Sequence, residues 1–390
     1  MSTSAVLRRS AATWPSDATP SDATEDERRV TTSEIHSALV VGSGLIGTSV
    51  ALALRGHGVV VHLTDRDPDA VRRAADLGAG DPAPPREQVD LAVVAVSPSA
   101  TASVVAGLIA GNVAKTVVDT CGVKADVLRD VKQQVGEPVH FVGTHPMAGR
   151  ERSGPGAARA DLFDGRPWVI VPDGVDPLSL ARAERLVELC GGVAVQLDAK
   201  THDDAVALVS HVPQVAATLV AARLAEGEEG ALGLTGQGLR DVTRVAASDA
   251  DLWVDVLVAN AVPVARILTE LRHDVDHVIA ALNDSAHDPE WGRNALREVL
   301  LRGNAGRARL PGKHGGRATS YSLVPVVLPD RPGELARLFA AAGEAGVNIE
   351  DVSIEHSPGQ PVGLVALAVA PGAEKQLAMA LVARGWQVHS

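Results

Sequence analysis

A glycine-rich turn at residues 42–47 constrains the fold more than any other part of the chain. In ALVVGSGLIGTSVALALRGHG, a five-residue apolar run leads directly into the spacing G-x-G-x-x-G at Gly42, Gly44 and Gly47, and a helix-forming segment follows. The first glycine permits a tight turn, the second lets the backbone approach a pyrophosphate, and the third lets helix and strand pack closely. This strand, turn and helix predict a dinucleotide-binding unit.

Short apolar runs alternate with helix-length segments through the first half of the chain. The runs ALVVG, VVVHLTD, LAVVAV, TVVDT, HFVGTH and WVIVP are continuously apolar or nearly so. This pattern is typical of strands in a parallel sheet that helices cover on both faces. After GGVAVQLDA at 191–199 the runs stop, and long Ala, Val and Leu segments with helical spacing replace them.

These changes of pattern divide the chain into five parts. Residues 1–35 are polar and punctuated by proline, which predicts a disordered tail. We expect an α/β, Rossmann-type doubly wound sheet over 36–199 and an all-helical substrate and dimerisation domain over 200–302. A linker rich in Gly, Arg and Pro follows over 303–320, and a small α+β module over 321–390 ends the chain.

The second strand ends in Asp65, where a carboxylate can accept hydrogen bonds from an adenosine ribose and would repel a 2′-phosphate. NAD is therefore favoured over NADP, although Arg66 beside it could serve a phosphate instead. Since ligands of such sheets lie outside the carboxyl ends of the strands, the turn after the third strand should also follow the cofactor. The expected cofactor contacts are Gly42, Ser43, Gly44, Leu45, Ile46, Gly47, Asp65, Arg66, Ser97, Pro98 and Thr120.

His145 ends the run HFVGTH and is the expected catalytic base. An imidazole has a pKa near neutrality, which suits accepting a proton from a hydroxyl as a hydride leaves the same carbon. The alternative is a structural histidine that bonds a loop carbonyl. Cys121 could act as a nucleophile in the neighbouring run TVVDTCGVK, but a small packing residue is the simpler interpretation.

Composition excludes several classes of partner. The formal net charge is −12 and basic residues are scattered among acids, so neither nucleic acid nor a membrane surface is expected to bind. Two cysteines are too few for a disulfide framework, and a reducing, cytoplasmic setting is expected. No stretch of about 20 apolar residues lacks a charge or a breaker, so no membrane span is predicted. His273 and His277 have metal-ligand spacing without further ligands, so no metal is expected.

Four motifs in a fixed order resemble the prephenate/arogenate dehydrogenase family of tyrosine biosynthesis. They are VVDTCGVK, GTHPMAGRERSG at 143–154, SHVPQVAA at 210–217 and GLRDVTRVAASDADLW at 238–253. The resemblance implies a homodimer that oxidatively decarboxylates prephenate to 4-hydroxyphenylpyruvate with NAD. Three alternatives stay open: an arogenate dehydrogenase that makes tyrosine directly, a dehydrogenase for an amino-substituted prephenate of specialised metabolism, and an amino-acid-sensing regulator without chemistry.

The same resemblance implies a set of site residues. His145 matches the histidine that bonds the ring hydroxyl, and Arg244 matches the arginine that binds a substrate carboxylate, a task that suits a bidentate guanidinium. Asp241 and Arg244 have i,i+3 spacing and are expected to lie close together. The expected substrate contacts are Glu151, Ser210, His211, Gln214 and Asp241.

Two positions depart from the family pattern. Many members that use prephenate read Ser-His-x-Pro-His, whereas Gln214 takes the last place here. The choice between the keto acid of prephenate and the amino acid of arogenate is therefore open. Some relatives have a serine at the place of Gly122. If that hydroxyl orients the histidine, a water, Thr120 or Ser210 must orient His145 in this chain.

The C-terminal run VVLPDRPGELARLFAAAGEAGVNIEDVSIE resembles the ACT module, a βαββαβ unit that binds amino acids at subunit interfaces. The resemblance implies feedback by tyrosine, and the alternative is a module that serves only dimer packing. The expected effector contacts are Asp330, Pro332, Gly333, Glu334, Leu335 and Asn348.

Overall fold

A computed structural model describes residues 33–149, 154–310, 321–356 and 362–389. Glu151 and nearly all of the predicted tail over 1–35 lie outside the described residues. The chain forms two compact units. The first unit runs up to Ala216 and also includes Val245–Ile267, and the second unit consists of Ala217–Arg244 and the residues from Leu268 onward.

The first unit is built on a seven-stranded sheet in the order β2-β1-β3-β4-β5-β6-β7. The strands are β1 (Ser37–Val41), β2 (Val60–Thr64), β3 (Val89–Val94), β4 (Ala114–Asp119), β5 (Phe141–Pro146), β6 (Pro167–Val171) and β7 (Val193–Gln196). The intervening helices are α1 (Leu45–Gly56), α2 (Pro68–Asp76), α3 (Pro98–Ala110), α4 (Ala125–Val135) and α5 (Pro177–Leu189). Strands β1 to β5 run parallel, so the predicted Rossmann-type sheet is confirmed.

Strand β6 departs from the predicted parallel arrangement, because it pairs antiparallel with β5. A parallel pair needs a long crossover connection, usually a helix. In the described part of the connection between β5 and β6, the structure has only a short 3-10 turn at Pro155–Ala157. The ladder between these strands pairs His145 with Val169. The candidate base therefore lies on the last strand of the parallel part of the sheet, where β5 pairs antiparallel with β6.

Two apolar clusters cover the opposite faces of this sheet. Along β3, Leu91 and Val93 belong to one cluster, and Ala92 and Val94 to the other. All four side chains are buried. Burial on both faces explains why the sequence of this strand is continuously apolar and does not alternate.

A 26-residue helix follows the sheet and carries part of the candidate site. Helix α6 (Ala199–Val206) continues through a π-helical turn at Ala207–His211 into α7 (Val212–Leu224). Among the helices of the described ranges, this one is long and apolar enough to cross a membrane by length and composition. Core helices pass the same test, and the polar side chains of His202 and Asp203 in α6 are buried within the first unit. Its apolar window is 33% buried, so the helix is covered only in part within the chain.

The remaining helices complete the predicted helical region. They are α8 (Glu229–Leu232), α9 (Gln237–Thr243), α10 (Ala250–Ala259), α11 (Ala261–Asp284) and α12 (Pro289–Arg307). Helix α12 extends five residues into the predicted linker over 303–320, despite Gly303 and Gly306. Each glycine costs a helix about 1 kcal/mol, but extending an existing helix is far easier than starting one. Residues 311–320 of that linker lie outside the described ranges.

The C-terminal part of the second unit has the predicted βαββαβ order. Its elements are β8 (Ser322–Pro329), α13 (Glu334–Glu344), β9 (Ile349–His356), β10 (Val362–Val369), α14 (Glu374–Ala383) and β11 (Gln387–Val388). The strands form an antiparallel sheet in the order β11-β8-β10-β9. One apolar cluster joins this sheet to both helices, as an ACT-like module requires.

The predicted effector residues of this module lie in two loops and at the start of α13. Gly333 has φ +89°, a left-handed conformation that favours glycine, and Asp330, Pro332 and Asn348 are exposed. Two further residues are engaged within the module: Glu334 accepts hydrogen bonds from Arg337 at 2.8 and 2.9 Å, and Leu335 packs against the apolar cluster.

Candidate active site

The glycine turn closes tightly between strands β1 and β3. Gly42 has φ +103°, and a Cβ atom there would lie 2.2 Å from the carbonyl oxygen of Ala95. A Cβ atom at Gly47 would lie 1.9 Å from the carbonyl oxygen of Gly42. Side chains at these two positions would force strand and helix apart. The Cβ position of Gly44 has no atom within 4 Å, so this glycine faces open space.

The N-terminus of α1 has the character of an anion site. No side chain caps the helix, and its first turn has no acidic residue. Backbone N–H groups at such an end attract a pyrophosphate. Asp65, at the end of β2, accepts a hydrogen bond of 2.6 Å from the backbone N–H of Ser43, which places its carboxylate beside the turn. These residues fit a dinucleotide.

The other predicted cofactor residues lie on the same side of the sheet. Ser97 is the N-cap of α3, with Pro98 as the first residue of the helix. The backbone N–H of Thr120, just after β4, donates to the carbonyl of Val94 at the end of β3 (3.0 Å). Arg66 is exposed beside Asp65. The carboxyl ends of three parallel strands therefore surround the glycine turn.

His145 sits near the carboxyl end of β5 and contacts another imidazole. Its Nδ1 atom lies 2.9 Å from Nε2 of His202, and the two rings meet edge to face with their centroids 5.1 Å apart. A Cβ atom at Gly122 would lie 3.6 Å from Nε2 of His145. The nitrogen that faces the missing side chain is therefore Nε2, while Nδ1 is already bonded.

This arrangement adds a contact that was not expected. Three groups were expected to replace the missing hydroxyl: a water, Thr120 or Ser210. The structure shows His202, on the first turns of α6, bonded to Nδ1, which is not the nitrogen that faces Gly122. The hydroxyl of Thr120 is directed to the carbonyl of Val94 at 3.5 Å. The THDD segment at 201–204, a polar cluster in an otherwise apolar helix, was the available signal for His202.

Asp203 anchors this imidazole pair to the sheet. Its Oδ1 atom lies 2.7 Å from Nδ1 of His202 and accepts a 2.8 Å hydrogen bond from the backbone N–H of Lys124. Its Oδ2 atom accepts another of 2.8 Å from the backbone N–H of Ala125. The carboxylate therefore caps the N-terminus of α4, where the helix dipole favours negative charge.

A buried ion pair lies next to the base. The ammonium of Lys124 contacts the carboxylate of Asp119 and donates to the carbonyl of Thr144 at 2.6 Å, and both charged side chains are fully buried. The pair ties the end of β4 to the residue before His145. Burial holds the pKa of His145 well below its usual value, and the neighbouring His202, Lys124 and His211 further disfavour a positive charge on its ring. The base is therefore neutral at pH 7.

His211 is a second buried imidazole, and its hydrogen bond determines which ring nitrogen carries the proton. The amide Nδ2 of Asn260 donates to the backbone carbonyl of Asp203 (2.9 Å) and lies 3.0 Å from Nδ1 of His211. Because an amide nitrogen can only donate, Nδ1 of His211 accepts, and a neutral ring then carries its proton on Nε2. Burial lowers the pKa of His211 to about 4, so the ring is a neutral donor at pH 7.

The π turn explains how one helix presents both histidines. His202 and His211 are nine residues apart, and a regular α-helix turning about 100° per residue would place them on opposite faces. The π turn at 207–211 winds less per residue, and both rings are buried in the first unit. Leu208 and Val209 lie on the outside of this turn and are exposed.

The other predicted substrate residues divide between the two units. Ser210 is partly buried in the π turn, and Gln214 is buried one turn later, so the position of the missing family histidine lies inside the first unit. Arg244 and Asp241 belong to the second unit. Asp241 accepts a 2.7 Å hydrogen bond from Gln237, and Arg244 begins a 3-10 turn after α9. Their pairing stays a prediction, as does the substrate role of Glu151.

Cys121 is a packing residue, as expected. Its side chain is buried in the apolar cluster that covers one face of the sheet. Burial raises the pKa of the thiol to about 11, so the nucleophilic thiolate is not formed at neutral pH.

Comparisons with known proteins identify the family of the chain. The family model "Prephenate dehydrogenase, nucleotide-binding domain" matches residues 50–196, and "Prephenate dehydrogenase, dimerization domain" matches 198–300. The probable prephenate dehydrogenase NovF of Streptomyces niveus is 42% identical over 365 residues, which cover 91% of this chain and 100% of NovF. The prephenate dehydrogenase of Bacillus subtilis is 26% identical over 337 residues, which cover 81% of this chain and 87% of that enzyme.

The solved structures include a similar protein with bound ligands. The crystal structure of Aquifex aeolicus prephenate dehydrogenase in complex with hydroxyphenyl propionate and NAD+ is 25% identical in sequence to this chain, with a TM-score of 0.61. The match covers 70% of this chain and 98% of that one.

Proposed function

The chain belongs to the prephenate dehydrogenase family, and from this premise we propose that it converts prephenate to 4-hydroxyphenylpyruvate and carbon dioxide with NAD, using His145 as the base. One observation carries the assignment of the base. Nε2 of His145 faces the vacant position beside Gly122, at the edge of the sheet where the glycine turn lies.

The residues of the first unit supply positioning and proton transfer. The glycine turn and Asp65 would hold NAD, which would supply the hydride acceptor for the ring carbon that bears the hydroxyl. His145 takes the hydroxyl proton on Nε2 as that bond to hydrogen breaks, and loss of the ring carboxylate as carbon dioxide makes the ring aromatic. His211 offers an Nε2–H donor to an oxygen of the substrate or cofactor. For Arg244, which belongs to the second unit, the family resemblance implies the binding of a substrate carboxylate.

The cofactor preference rests on Asp65. Its carboxylate is held against the glycine turn by Ser43, where it can accept hydrogen bonds from a ribose and repels an added phosphate. The chain therefore uses NAD in preference to NADP.

A single assay tests the reaction. Purified protein is mixed with prephenate or arogenate and with NAD or NADP, and reduced cofactor is followed by absorbance. We expect the highest kcat/KM for prephenate with NAD, and a loss of about 10²–10⁴ in kcat for His145→Gln with NAD binding retained. Full activity of His145→Gln would place the base elsewhere, and no turnover of any substrate by the wild-type protein would favour the sensing regulator.

The helical region and the ACT-like module support proposals about assembly and regulation. The helical region matches a dimerization-domain model, which supports a homodimer. Tyrosine is the proposed effector of the ACT-like module, through the exposed loops around Gly333 and Asn348. Titration of tyrosine against wild type and Asn348→Ala tests this, and equal inhibition of both would remove Asn348 from the effector site.

A cytoplasmic location is part of the proposal and is supported by the low cysteine content.

A further inference from the structure

The hydrogen bond between His145 and His202 has a direction that its surroundings determine. A bond between two neutral imidazoles needs one ring to donate and the other to accept. The 2.9 Å distance between Nδ1 of His145 and Nε2 of His202 is equally compatible with either direction. The partner on the far side of His202 resolves the choice.

That partner is Asp203, which can only accept. Both of its oxygens already accept backbone N–H groups, from Lys124 and Ala125 at the start of α4, so each acts as an acceptor. Nδ1 of His202, 2.7 Å away, must therefore donate to Asp203. A neutral His202 then has a lone pair on Nε2, and His145 donates to it from Nδ1.

We propose that His202, held by Asp203, is the positioning residue that fixes His145 in the tautomer with its proton on Nδ1 and its lone pair on Nε2. This inference rests on the proposed role of His145 as the base. It assigns the orientation of His145 to a buried imidazole on the Nδ1 side of the ring, while Gly122 lies on the Nε2 side.

The chain of bonds also suits the charge that forms during the reaction. When Nε2 of His145 takes the substrate proton, the resulting imidazolium still donates from Nδ1 to His202. The negative charge of Asp203, one ring away, stabilises that positive charge without any proton leaving His145. Removing His202 should therefore lower the rate more than it lowers binding.

Three variants test this role. His202→Phe fills a similar volume but removes the acceptor for Nδ1, and we expect kcat to fall about 10–100-fold while Kd for NAD changes less than about twofold. His202→Gln restores an acceptor oxygen, and we expect it to recover most of the lost kcat. The matched control is His140→Phe, which removes an exposed imidazole whose Nδ1 lies 2.9 Å from Asp176, outside the site. That variant should keep the wild-type kcat.

A spectroscopic measurement separates positioning from general damage. In protein labelled with 15N histidine, the two ring nitrogens of His145 are identified by the signals that disappear in His145→Gln. In the wild type above neutral pH we expect a protonated Nδ1 and an unprotonated Nε2. In His202→Phe we expect both nitrogens to move towards averaged shifts, because the two tautomers then mix.

The outcomes distinguish this inference from the proposed function. A His202→Phe protein with wild-type kcat, or one whose His145 nitrogens keep their wild-type shifts, overturns the inference. If His145→Gln is inactive at the same time, the proposed function still holds. An active His145→Gln overturns the proposed base and the inference with it. If His202→Phe does not fold, His202→Gln decides: low kcat with an unchanged tautomer of His145 also overturns the inference.

Discussion

The Nδ1 atom of His145 lies 2.9 Å from Nε2 of His202, and 57 residues of chain separate the two. His145 belongs to strand β5, whereas His202 belongs to helix α6, which Asp203 fastens to the start of α4. The orientation of the proposed base therefore depends on how a helix packs against the sheet. Substitutions that shift α6 should affect turnover even when they touch neither substrate nor cofactor.

Two glycines of the turn should respond differently to the same substitution. Gly47→Ala places a methyl group against the carbonyl of Gly42, and we expect it to cost about 1–3 kcal/mol of stability. Gly44→Ala meets no protein atom, so we expect an unchanged melting temperature and a Kd for NAD raised about tenfold. Thermal unfolding and NAD titration measure the two effects. A Gly44→Ala protein with wild-type NAD affinity would contradict the proposed position of the pyrophosphate.

Asp65 should control the choice of cofactor through its charge. Asp65→Asn keeps an oxygen that can accept the N–H of Ser43 but removes the repulsion of a 2′-phosphate. We expect KM for NADP to fall about tenfold, with a smaller rise in KM for NAD. Asp65→Ala is the comparison, because it also loses the bond to the turn and should weaken both cofactors. An unchanged ratio of the two KM values in Asp65→Asn would show that Asp65 does not face the ribose.

Gly122 should tolerate a small side chain and reject a branched one. A Cβ atom there would make ordinary van der Waals contact with His145, so Gly122→Ser should fold normally and keep kcat within about tenfold. Gly122→Val would crowd Nε2 of His145, and we expect kcat/KM for prephenate to fall more than about tenfold. Steady-state kinetics, with NAD binding as the control, measure the difference. Equal activity of both variants would mean that the substrate does not approach Nε2.

Buried His211 should make the protein less stable in mild acid. Its pKa is about 4 in the folded state, below the ordinary value of 6.5, so the unfolded chain takes up a proton first as the pH falls. The stabilisation is complete above about pH 6.5 and is lost as the pH falls towards about 4, with a decrease of about 2 kcal/mol between pH 8 and pH 5 from this group. Urea unfolding at both pH values measures the decrease. His211→Gln should reduce it, and an equal decrease in that variant would assign the effect to other groups.

The ion pair of Lys124 and Asp119 should be costly to break. Lys124→Met leaves a buried carboxylate without its partner, and we expect a loss of about 3–5 kcal/mol. Lys132→Met is the control, because the 3.1 Å pair of Lys132 and Glu137 is exposed and should contribute about 0–1 kcal/mol. Urea unfolding compares the two. A loss below about 1 kcal/mol in Lys124→Met would show that the pair does not stabilise the fold.

The local features of the sequence predicted the parallel part of the sheet and the glycine turn well. Both depend on contacts between residues that are close in sequence, such as Gly42 and Gly47, or on strands whose two faces are buried. Strand β6 was not predicted to run antiparallel, because its apolar run PWVIV has the same pattern in either direction. Strand direction depends on the connection, which the pattern does not encode.

The candidate site was predicted only in part, for a similar reason. His145 and His211 belong to recognisable motifs, and both lie in the first unit, although His211 was expected in a separate helical domain. His202 and Asn260 act through partners 57 and 49 residues away, so no local spacing indicates them. A polar residue within an apolar helix signals burial with a partner, but the partner becomes known only from the fold.

The π turn between His202 and His211 also bears on how relatives of this chain should be compared. A plain α-helix with one residue fewer between the two rings would turn about 80° from the first to the second and present both on one side. The wide turn thus absorbs one extra residue, most simply at its exposed Leu208 or Val209, without moving the chemistry downstream. Alignments that force equal spacing across this helix would then place one of the two histidines a residue out of register, and a single-residue gap here is compatible with the same site.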